Sequence, residues 1–299
     1  MAVNWEAIMY REYDAQLLRK VQMTEKKILE KFISICEKHE LKYFAVFGTL
    51  LGTIRHKGFI PWDDDIDVGM PRRDYEKFLK VAQEECGDEY FLQTIDTDPE
   101  YHLYFAKLRM NGTEFVEDTL QDAGSVTGFY IDIFPYDIIP NDEKEWKKHM
   151  KRAVFYGMLL SVNKVKEPQI ARGNAIVNLV KSVVWAILHY GMKLLGVKGK
   201  CIWEQCMQAM TKYENTNNQR LTTFAADASK WIVYDEEIRD VEELAFEDIV
   251  IATPKGYDAI LRRNYGDYMQ MPPEEQRVNH MPVKIRFSDE KDIVFSEES

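Results

Sequence analysis

Positive charge is scarce in this chain, since 39 Lys and Arg residues stand against 50 Asp and Glu residues over a length of 299. The formal net charge is −11, and the basic residues are scattered instead of forming a long stripe. A polyanion needs such a stripe for its phosphates, so we expect no nucleic-acid partner. The 45% hydrophobic content is enough to bury a sizeable core in one large domain or two small ones.

Cysteine is also scarce, and no two of the four cysteines form a Cys-x-x-Cys pair. A zinc site is therefore not expected. The first residues, Met-Ala-Val-Asn-Trp, show no signal-peptide pattern, and together with the sparse thiols this predicts reduced cysteines and a cytoplasmic protein. The four cysteines are Cys36, Cys86, Cys201 and Cys206.

Acidic residues, by contrast, are concentrated at residues 63–67, Asp-Asp-Asp-Ile-Asp, between apolar neighbours. On an extended chain alternate side chains share a face, so Asp65 and Asp67 point the same way. Two carboxylates about 7 Å apart repel unless a cation lies between them, and oxygen ligands on a strand suit Mg²⁺, with Mn²⁺ as the alternative. A calcium-binding EF-hand loop is excluded, because its required Gly and Glu positions hold Val68 and Asp74. A solvated acidic turn stays open for the run taken alone.

The segment before the acidic run has the pattern of a phosphate-binding turn. Residues 43–47 are apolar and aromatic and predict a buried strand that ends at Gly48 and Thr49. A short helix over residues 50–55 is expected next, and its first amides, with the Thr49 hydroxyl, offer hydrogen-bond donors to an anion. Gly48, Thr49 and Gly52 are therefore candidate phosphate-binding residues, with a plain turn or a helix-packing role as the alternative for the glycines.

Basic side chains near this turn are candidates for contacts with a phosphorylated ligand. Arg55 and His56 add positive charge just after the predicted helix, in an otherwise acidic chain. Lys107 and Arg109 alternate on a predicted strand and so face the same side, where they could bind a diphosphate. The alternatives are a solvated basic corner for the first pair and a surface salt bridge for the second.

A third acid is expected on a neighbouring strand, because a two-metal phosphoryl-transfer site needs more than two carboxylates. Asp132 is the one charge in the apolar run 128–135. A lone carboxylate in a buried strand is unfavourable unless it is paired or bound to a metal. We therefore predict that Asp65, Asp67 and Asp132 are both the metal ligands and the catalytic residues.

Several of these segments together resemble the LicD family of phosphotransferases. The resemblance is nearly continuous over about 25 residues and extends over most of residues 25–285. It implies an α/β (α+β) fold, with a nucleotidyltransferase-like mixed sheet flanked by helices and an additional mostly helical C-terminal half. The matching segments are residues 47–52, 55–67, 105–109, 130–135, 265–269 and 272–273.

The resemblance also implies an activity. LicD-like enzymes take a CDP-linked small alcohol, typically CDP-choline, and transfer the phospho-alcohol to a sugar hydroxyl of a cell-surface glycan or teichoic acid precursor, releasing CMP. Asp65, Asp67 and Asp132 take the three acidic positions of the family, and Asp132 is the expected base unless the metal alone promotes deprotonation. The alternatives are a ribitol- or glycerol-phosphate transferase, a true nucleotidyltransferase, and a non-catalytic glycan-binding scaffold.

The chain changes character near residue 140. We expect a catalytic core with an N-terminal helix over residues 1–140 and a mostly helical region over residues 141–299 that completes the acceptor side, either as a second unit or as part of one continuous domain. Residues 176–197 are apolar over about the length of a bilayer, but Asn178 and Lys181 within them argue against spanning. A buried helix and an amphipathic helix lying on the membrane remain as alternatives.

Overall fold

The structure, a computed structural model, describes residues 14–117, 124–166, 175–277, 279, 282–288 and 290–295. The helices are α1 (Ala15–Lys38), α2 (Phe47–His56), α3 (Arg72–Glu85), α4 (Glu143–Lys164), α5 (Ala175–Leu194), α6 (Gly199–Met210), α7 (Asp235–Ile238) and α8 (Tyr257–Tyr265). The strands are β1 (Phe44–Ala45), β2 (Asp67–Pro71), β3 (Tyr90–Gln93), β4 (Ala106–Met110), β5 (Glu114–Val116), β6 (Tyr130–Ile139), β7 (Arg220–Thr222), β8 (Val233–Tyr234), β9 (Val241–Phe246), β10 (Ile249–Pro254), β11 (Lys284–Arg286) and β12 (Ile293–Val294).

A mixed sheet with the strand order β1-β2-β6-β4-β3 forms the centre of the fold. Strands β2 and β6 are parallel, whereas β1 pairs with β2, β4 with β6 and β3 with β4 in antiparallel fashion. Strand β7 extends the sheet by pairing with the far end of β6, and β8 pairs with β7. The mixed α/β fold predicted from the sequence is confirmed.

One face of this sheet is covered by helices because alternate residues of its strands are apolar. Val68 and Ile133 are register partners on β2 and β6, and both are fully buried. Helices α1 and α3 pack here, and α1 begins at Asp14, whose carboxylate accepts hydrogen bonds from the backbone of Gln16 and Leu17 at 3.0 Å. The residues between the apolar ones, which include the predicted acids, therefore share the opposite face.

A buried ion pair joins the start of α3 to β6. Arg72 donates to both carboxylate oxygens of Asp137, at 2.6 and 2.8 Å, and both side chains are almost fully buried. This bidentate ion pair holds α3 against β6, the strand that carries Asp132.

The region after residue 140 is helical as far as Met210 and then returns to strands. The region was expected to be mostly helical, but β7 and β8 follow these helices. These strands have three and two residues, so they show no readable alternation of apolar and polar positions. Leu221 and Val233 belong to the same hydrophobic cluster as Val68, so one core includes side chains from both sides of residue 140.

Helix α2 begins earlier than the sequence indicated. The preceding strand is limited to Phe44–Ala45, and the helix starts at Phe47, whose φ of +47° lies in the left-handed region. Gly48 and Thr49 are therefore in the first helical turn, whereas they were expected in a turn before the helix.

Helix α5 is largely exposed, so the prediction of a buried helix over residues 176–197 is wrong for most of that segment. Leu179 is 65% exposed, Ile187 66% and Leu194 89%. One side packs on α4, where His189 is buried and contacts the carbonyl of Val162 at 2.8 Å. In the described part of the chain, no single helix is long and apolar enough to cross a membrane, although the bent pair Val177–Leu194 and Gly199–Tyr213 meets that test jointly.

Candidate active site

The pairing of β2 with β6 places two of the predicted acids side by side. Asp67 and Asp132 are register partners on these parallel strands, which lie about 4.8 Å apart. The pairing continues beyond the start of β2, since the Asp132 backbone N–H donates to the carbonyl of Ile66 at 2.9 Å. Asp65 precedes Asp67 by two residues on the same extended segment and lies close enough for its charge to raise the pKa of Asp132. The three acids therefore lie in one region of the sheet, on the face opposite Val68 and Ile133.

A buried lysine lies next to this acid group. Lys107 on β4 is the register partner of Asp132 on the other side of β6, and its ammonium lies 2.9 Å from Asp132 Oδ1. Lys107 is only 3% exposed, and its ammonium lies 3.4 Å from the centre of the Tyr130 ring. Burial raises the pKa of Asp132, although Lys107 opposes part of that shift. Lys107 thus supplies a fixed positive charge at the edge of the acid group.

A further carboxylate, which the sequence did not reveal as a site residue, comes from α1. Glu25 is fully buried, and neither of its oxygens has a hydrogen-bond partner among the residues that the structure describes. Burial raises the pKa of Glu25 well above its ordinary value, and the charges of Asp64 and Asp65 add to the shift. The available signal was its position, since Glu25 interrupts the apolar stripe of α1 between Val21 and Ile28.

The donor set around Asp67 fits a hard divalent cation in ligand type and in charge. Carboxylates are the ligands that Mg²⁺ and Mn²⁺ prefer. The pKa of Glu25 is raised by burial and also by the neighbouring acids, which indicates an excess of negative charge around the acid run. Within the described ranges, however, no three His, Cys, Asp or Glu side chains are already arranged as a complete set of ligands. Metal binding at Asp65, Asp67 and Asp132 therefore stays a prediction.

The first turn of α2 is held tightly against the acid run. The Thr49 hydroxyl accepts a hydrogen bond from the backbone N–H of Asp67 at 2.8 Å, and Thr49 is buried. A Cβ on Gly48 would lie 2.6 Å from Asp63 Oδ2, so a larger residue there would displace the Asp63 carboxylate. Gly48 and Thr49 are thus next to the predicted metal ligands, and their contact with phosphate stays a prediction.

The other candidates on α2 lie towards its far end. Gly52 is a close-packing position, since a Cβ there would lie 2.4 Å from the carbonyl oxygen of Gly58. Arg55 donates to the carbonyl of Tyr268 at 3.0 Å and to His56 Nε2 at 2.9 Å. Burial lowers the pKa of His56, with a further contribution from Arg55. Because α2 is about 15 Å long, Arg55 and His56 are separated from its first turn.

Arg109 shares the sheet face of Lys107, as the alternation of β4 requires, but it is deeply buried. Its Nη1 donates to the carbonyl of Gly128 at 2.6 Å, its Nε donates to Gln93, and its guanidinium lies 4.8 Å from the Tyr130 ring centre. These contacts tie β4 to β3 and to the chain entering β6. The predicted contact of Arg109 with a diphosphate is not tested by them.

A glycine-threonine helix start beside two paired acidic strands is the arrangement of a nucleotidyltransferase-type domain. The family model described as "LicD/FKTN/FKRP, nucleotidyltransferase domain" matches residues 40–160. Residues 40–160 therefore belong to the LicD family, and the predicted class of LicD-like phosphotransferase is confirmed.

Individual relatives cover different shares of the chain. A protein of Haemophilus influenzae named lipopolysaccharide cholinephosphotransferase LicD is 29% identical over 269 residues, which are 88% of this chain and 95% of the relative. An uncharacterized protein of Rickettsia typhi is 27% identical over 169 residues, 48% of this chain and 53% of the relative. An uncharacterized protein of Rickettsia prowazekii is 40% identical over 63 residues, 19% of this chain and 24% of the relative.

Proposed function

We propose that this protein transfers phosphocholine from CDP-choline to a sugar hydroxyl of a cell-surface glycan precursor, such as lipopolysaccharide, and releases CMP. Support comes from the H. influenzae relative, whose printed name gives the transferred group and the acceptor, and from the share of it that this chain covers. The observation that carries the proposal is the register pairing of Asp67 with Asp132 on neighbouring parallel strands.

In the proposed reaction, the sugar oxygen forms a bond to the phosphorus that carries choline, while the bond from that phosphorus to the CMP oxygen breaks. The hydroxyl proton passes to the Asp132 carboxylate, and CMP leaves with the electron pair of the broken bond. Burial raises the pKa of Asp132, which makes it a better proton acceptor than an exposed aspartate, and the Lys107 ammonium orients it. Thr49 contributes by fixing the backbone of Asp67.

Asp65, Asp67 and Asp132 are the residues that would hold Mg²⁺ or Mn²⁺ in this proposal. A bound divalent cation would neutralise the diphosphate of the donor and the charge that develops on the leaving CMP. The carboxylates of Asp65, Asp67 and Asp132 would supply the negative charge that such a cation requires.

The experiment follows the products of CDP-choline in the presence of Mg²⁺ and a glycan acceptor. The proposal expects free CMP and phosphocholine linked to the acceptor. A true nucleotidyltransferase would release phosphocholine and leave CMP on the acceptor, and a preference for CDP-ribitol or CDP-glycerol would identify an alditol-phosphate transferase. Asp67→Asn should abolish transfer, whereas the exposed Asp88→Asn serves as a matched control; full activity of Asp67→Asn would revive the non-catalytic scaffold.

We further propose that the protein works at the cytoplasmic face of a membrane, where a CDP-linked donor and a lipid-linked acceptor can meet. The support is an exposed apolar face on α4 and α5. Its members are each between 41% and 89% exposed, and they are Val154, Phe155, Met158, Val177, Leu179, Val180, Val183, Val184, Ile187, Leu188, Leu194 and Leu195.

Charge next to this apolar face favours an anionic lipid surface. The N-terminal half of α4 carries a basic band of exposed side chains, although the whole chain has a net charge of −11. A basic band beside an exposed apolar face is the composition of interfacial helices. The band consists of Lys144, Lys147, Lys148, Lys151 and Arg152.

Flotation with vesicles containing phosphatidylglycerol tests the membrane contact. The wild type should float with anionic vesicles and less with neutral ones, and a Val184→Glu, Leu188→Glu double variant should stay in the soluble fraction. The exposed Val250→Glu on β10 is the matched control. If the double variant floats as well as the wild type, this placement is contradicted. It is also contradicted if the wild type is a dimer in ultracentrifugation and the double variant is a monomer, because a second copy of the chain then covers the apolar face.

A further inference from the structure

A row of aromatic rings borders the acid group. The Phe134 and Phe47 ring centres lie 5.2 Å apart, those of Phe47 and Trp231 4.4 Å, and those of Trp231 and Tyr265 5.6 Å. Successive rings meet at 67° to 71°, so each presents an edge to the next. We call these four side chains the aromatic wall.

The aromatic wall begins at the acids themselves. Phe134 follows Asp132 by two residues on β6, so both side chains point to the same face of the sheet. Phe47 directly precedes Gly48, which touches the acid run. At the far end, partial burial raises the pKa of Tyr265, and the carboxylates of the run 63–67 add to that shift.

A cation already lies over two rings of the wall. The ammonium of Lys230, an exposed side chain, is 5.5 Å from the centre of the Trp231 ring and 5.8 Å from that of the Tyr265 ring. Both distances are within the range of cation–π attraction, about 6 Å. The exposed lysine shows that a positive charge can reach these rings from solvent.

The backbone at Phe47 is consistent with a role for its ring. A φ of +47° is unfavourable for a bulky aromatic residue, and glycine would adopt it without strain. Phe47 nevertheless occupies the position, and its ring joins Phe134 to Trp231. Strained residues of this kind concentrate at functional sites.

We propose that Phe47, Trp231 and Tyr265 form the binding site for the quaternary ammonium of the donor's choline. This inference rests on the proposed function and identifies the part of the site that selects the alcohol. A trimethylammonium group has no N–H to donate, so aromatic faces and nearby carboxylates are the groups that recognise it. Ribitol and glycerol are neutral and would instead need matched hydrogen-bond partners. The bound choline displaces the flexible Lys230 ammonium from the wall.

Calorimetric binding of CDP-choline, CDP-glycerol and CMP, each with Mg²⁺, tests this site. Trp231→Leu and Tyr265→Leu should each weaken CDP-choline about three- to thirtyfold, which is the range of a cation–π contact, and leave CDP-glycerol and CMP unchanged. Trp231→Phe keeps a ring and should retain most of the preference for choline. Lys230→Gln should bind CDP-choline at least as tightly as the wild type, since it removes the competing cation.

The matched control is Tyr234→Leu. Tyr234 has the same 38% exposure as Tyr265 and also lies beside a cation, 5.1 Å from the Arg263 guanidinium, but it is not part of the aromatic wall. Thermal unfolding of each variant checks that the fold is retained. If the wild type prefers CDP-choline and both leucine variants keep that preference, the binding site is wrong and the proposed function stands. If the wild type shows no preference for CDP-choline over CDP-glycerol, the proposed donor fails and this site with it.

Discussion

Replacing Glu25 by glutamine should stabilise the protein at neutral pH, because the change removes a buried carboxyl that has no partner among the described residues. The pKa of Glu25 is raised well above its ordinary value of 4.5, first by burial and then by the neighbouring acids. The folded protein therefore holds this proton more strongly than the unfolded chain does. The stability that comes from the protonated form is fully present below pH 4.5 and is lost as the pH rises towards the folded pKa.

The size of the effect follows from the burial of this group. Each unit of pKa difference corresponds to about 1.4 kcal/mol of unfolding free energy. A buried polar group without a partner costs about 1–3 kcal/mol when neutral and more when charged. The glutamine amide avoids only the cost of the charge, so a gain of about 2 kcal/mol for Glu25→Gln is expected at pH 7.5. In a chain of this length that gain raises the unfolding temperature by about 4 °C. The gain should shrink as the pH approaches 4.5, where the wild-type carboxyl is protonated in both states.

Thermal and urea unfolding between pH 5 and 8, in EDTA and in Mg²⁺, measure this difference. Glu37→Gln, at an exposed position of the same helix, is the matched control and should change the unfolding free energy little at any pH. A divalent cation at the acid run should reduce the advantage of Glu25→Gln, since it offsets the negative charge around Glu25. A Glu25→Gln variant that is less stable than the wild type at pH 7.5, or equally stable at all pH values, would refute the reasoning.

Three further substitutions test how the site is built. Thr49→Val removes the acceptor of the buried Asp67 N–H, so it should lower the unfolding free energy by about 1–3 kcal/mol and also lower kcat. Thr49→Ser keeps the hydroxyl and should retain both values, as measured by unfolding curves and initial rates. Lys107→Met removes the cation that lowers the pKa of Asp132, so the acid limb of the pH profile of kcat should move to higher pH, and an unmoved limb would argue against Asp132 as the base. Arg72→Met leaves the buried carboxylate of the α3–β6 ion pair uncompensated and should lower the unfolding free energy by about 3–5 kcal/mol, as measured in urea.

The acids of the candidate site were predicted from signals that are local in the sequence. The alternation of Asp65 and Asp67 on an extended chain and the isolation of Asp132 in an apolar run are both visible within a few residues. The structure then supplied what linear order cannot, namely the register that makes Asp67 and Asp132 neighbours. Strand register depends on the packing of the whole sheet, and a slip of one residue would turn either acid to the other face.

The residues that were missed come from distant parts of the chain. Glu25 reaches the acids because α1 packs across the sheet, and Trp231 reaches Phe47 because β7 and β8 return to β6. The interrupted stripe of α1 marks Glu25 but not the residues it approaches, and no short-range pattern marks the approach of Trp231 to Phe47. The exposure of α5 was also undecided from the sequence, because a buried helix and a surface helix with the same apolar content look alike until their neighbours are known.

The fate of the choline-bearing phosphorus tests the central claim most directly. CDP-choline is incubated with the protein, Mg²⁺ and a glycan acceptor, and the phosphorus products are followed by NMR in the wild type and in Asp132→Asn. We expect the wild type to place that phosphorus in a diester with the acceptor while CMP appears in equal amount, and the variant to leave the donor intact. Free phosphocholine with CMP bound to the acceptor, or unchanged transfer by Asp132→Asn, would contradict the account.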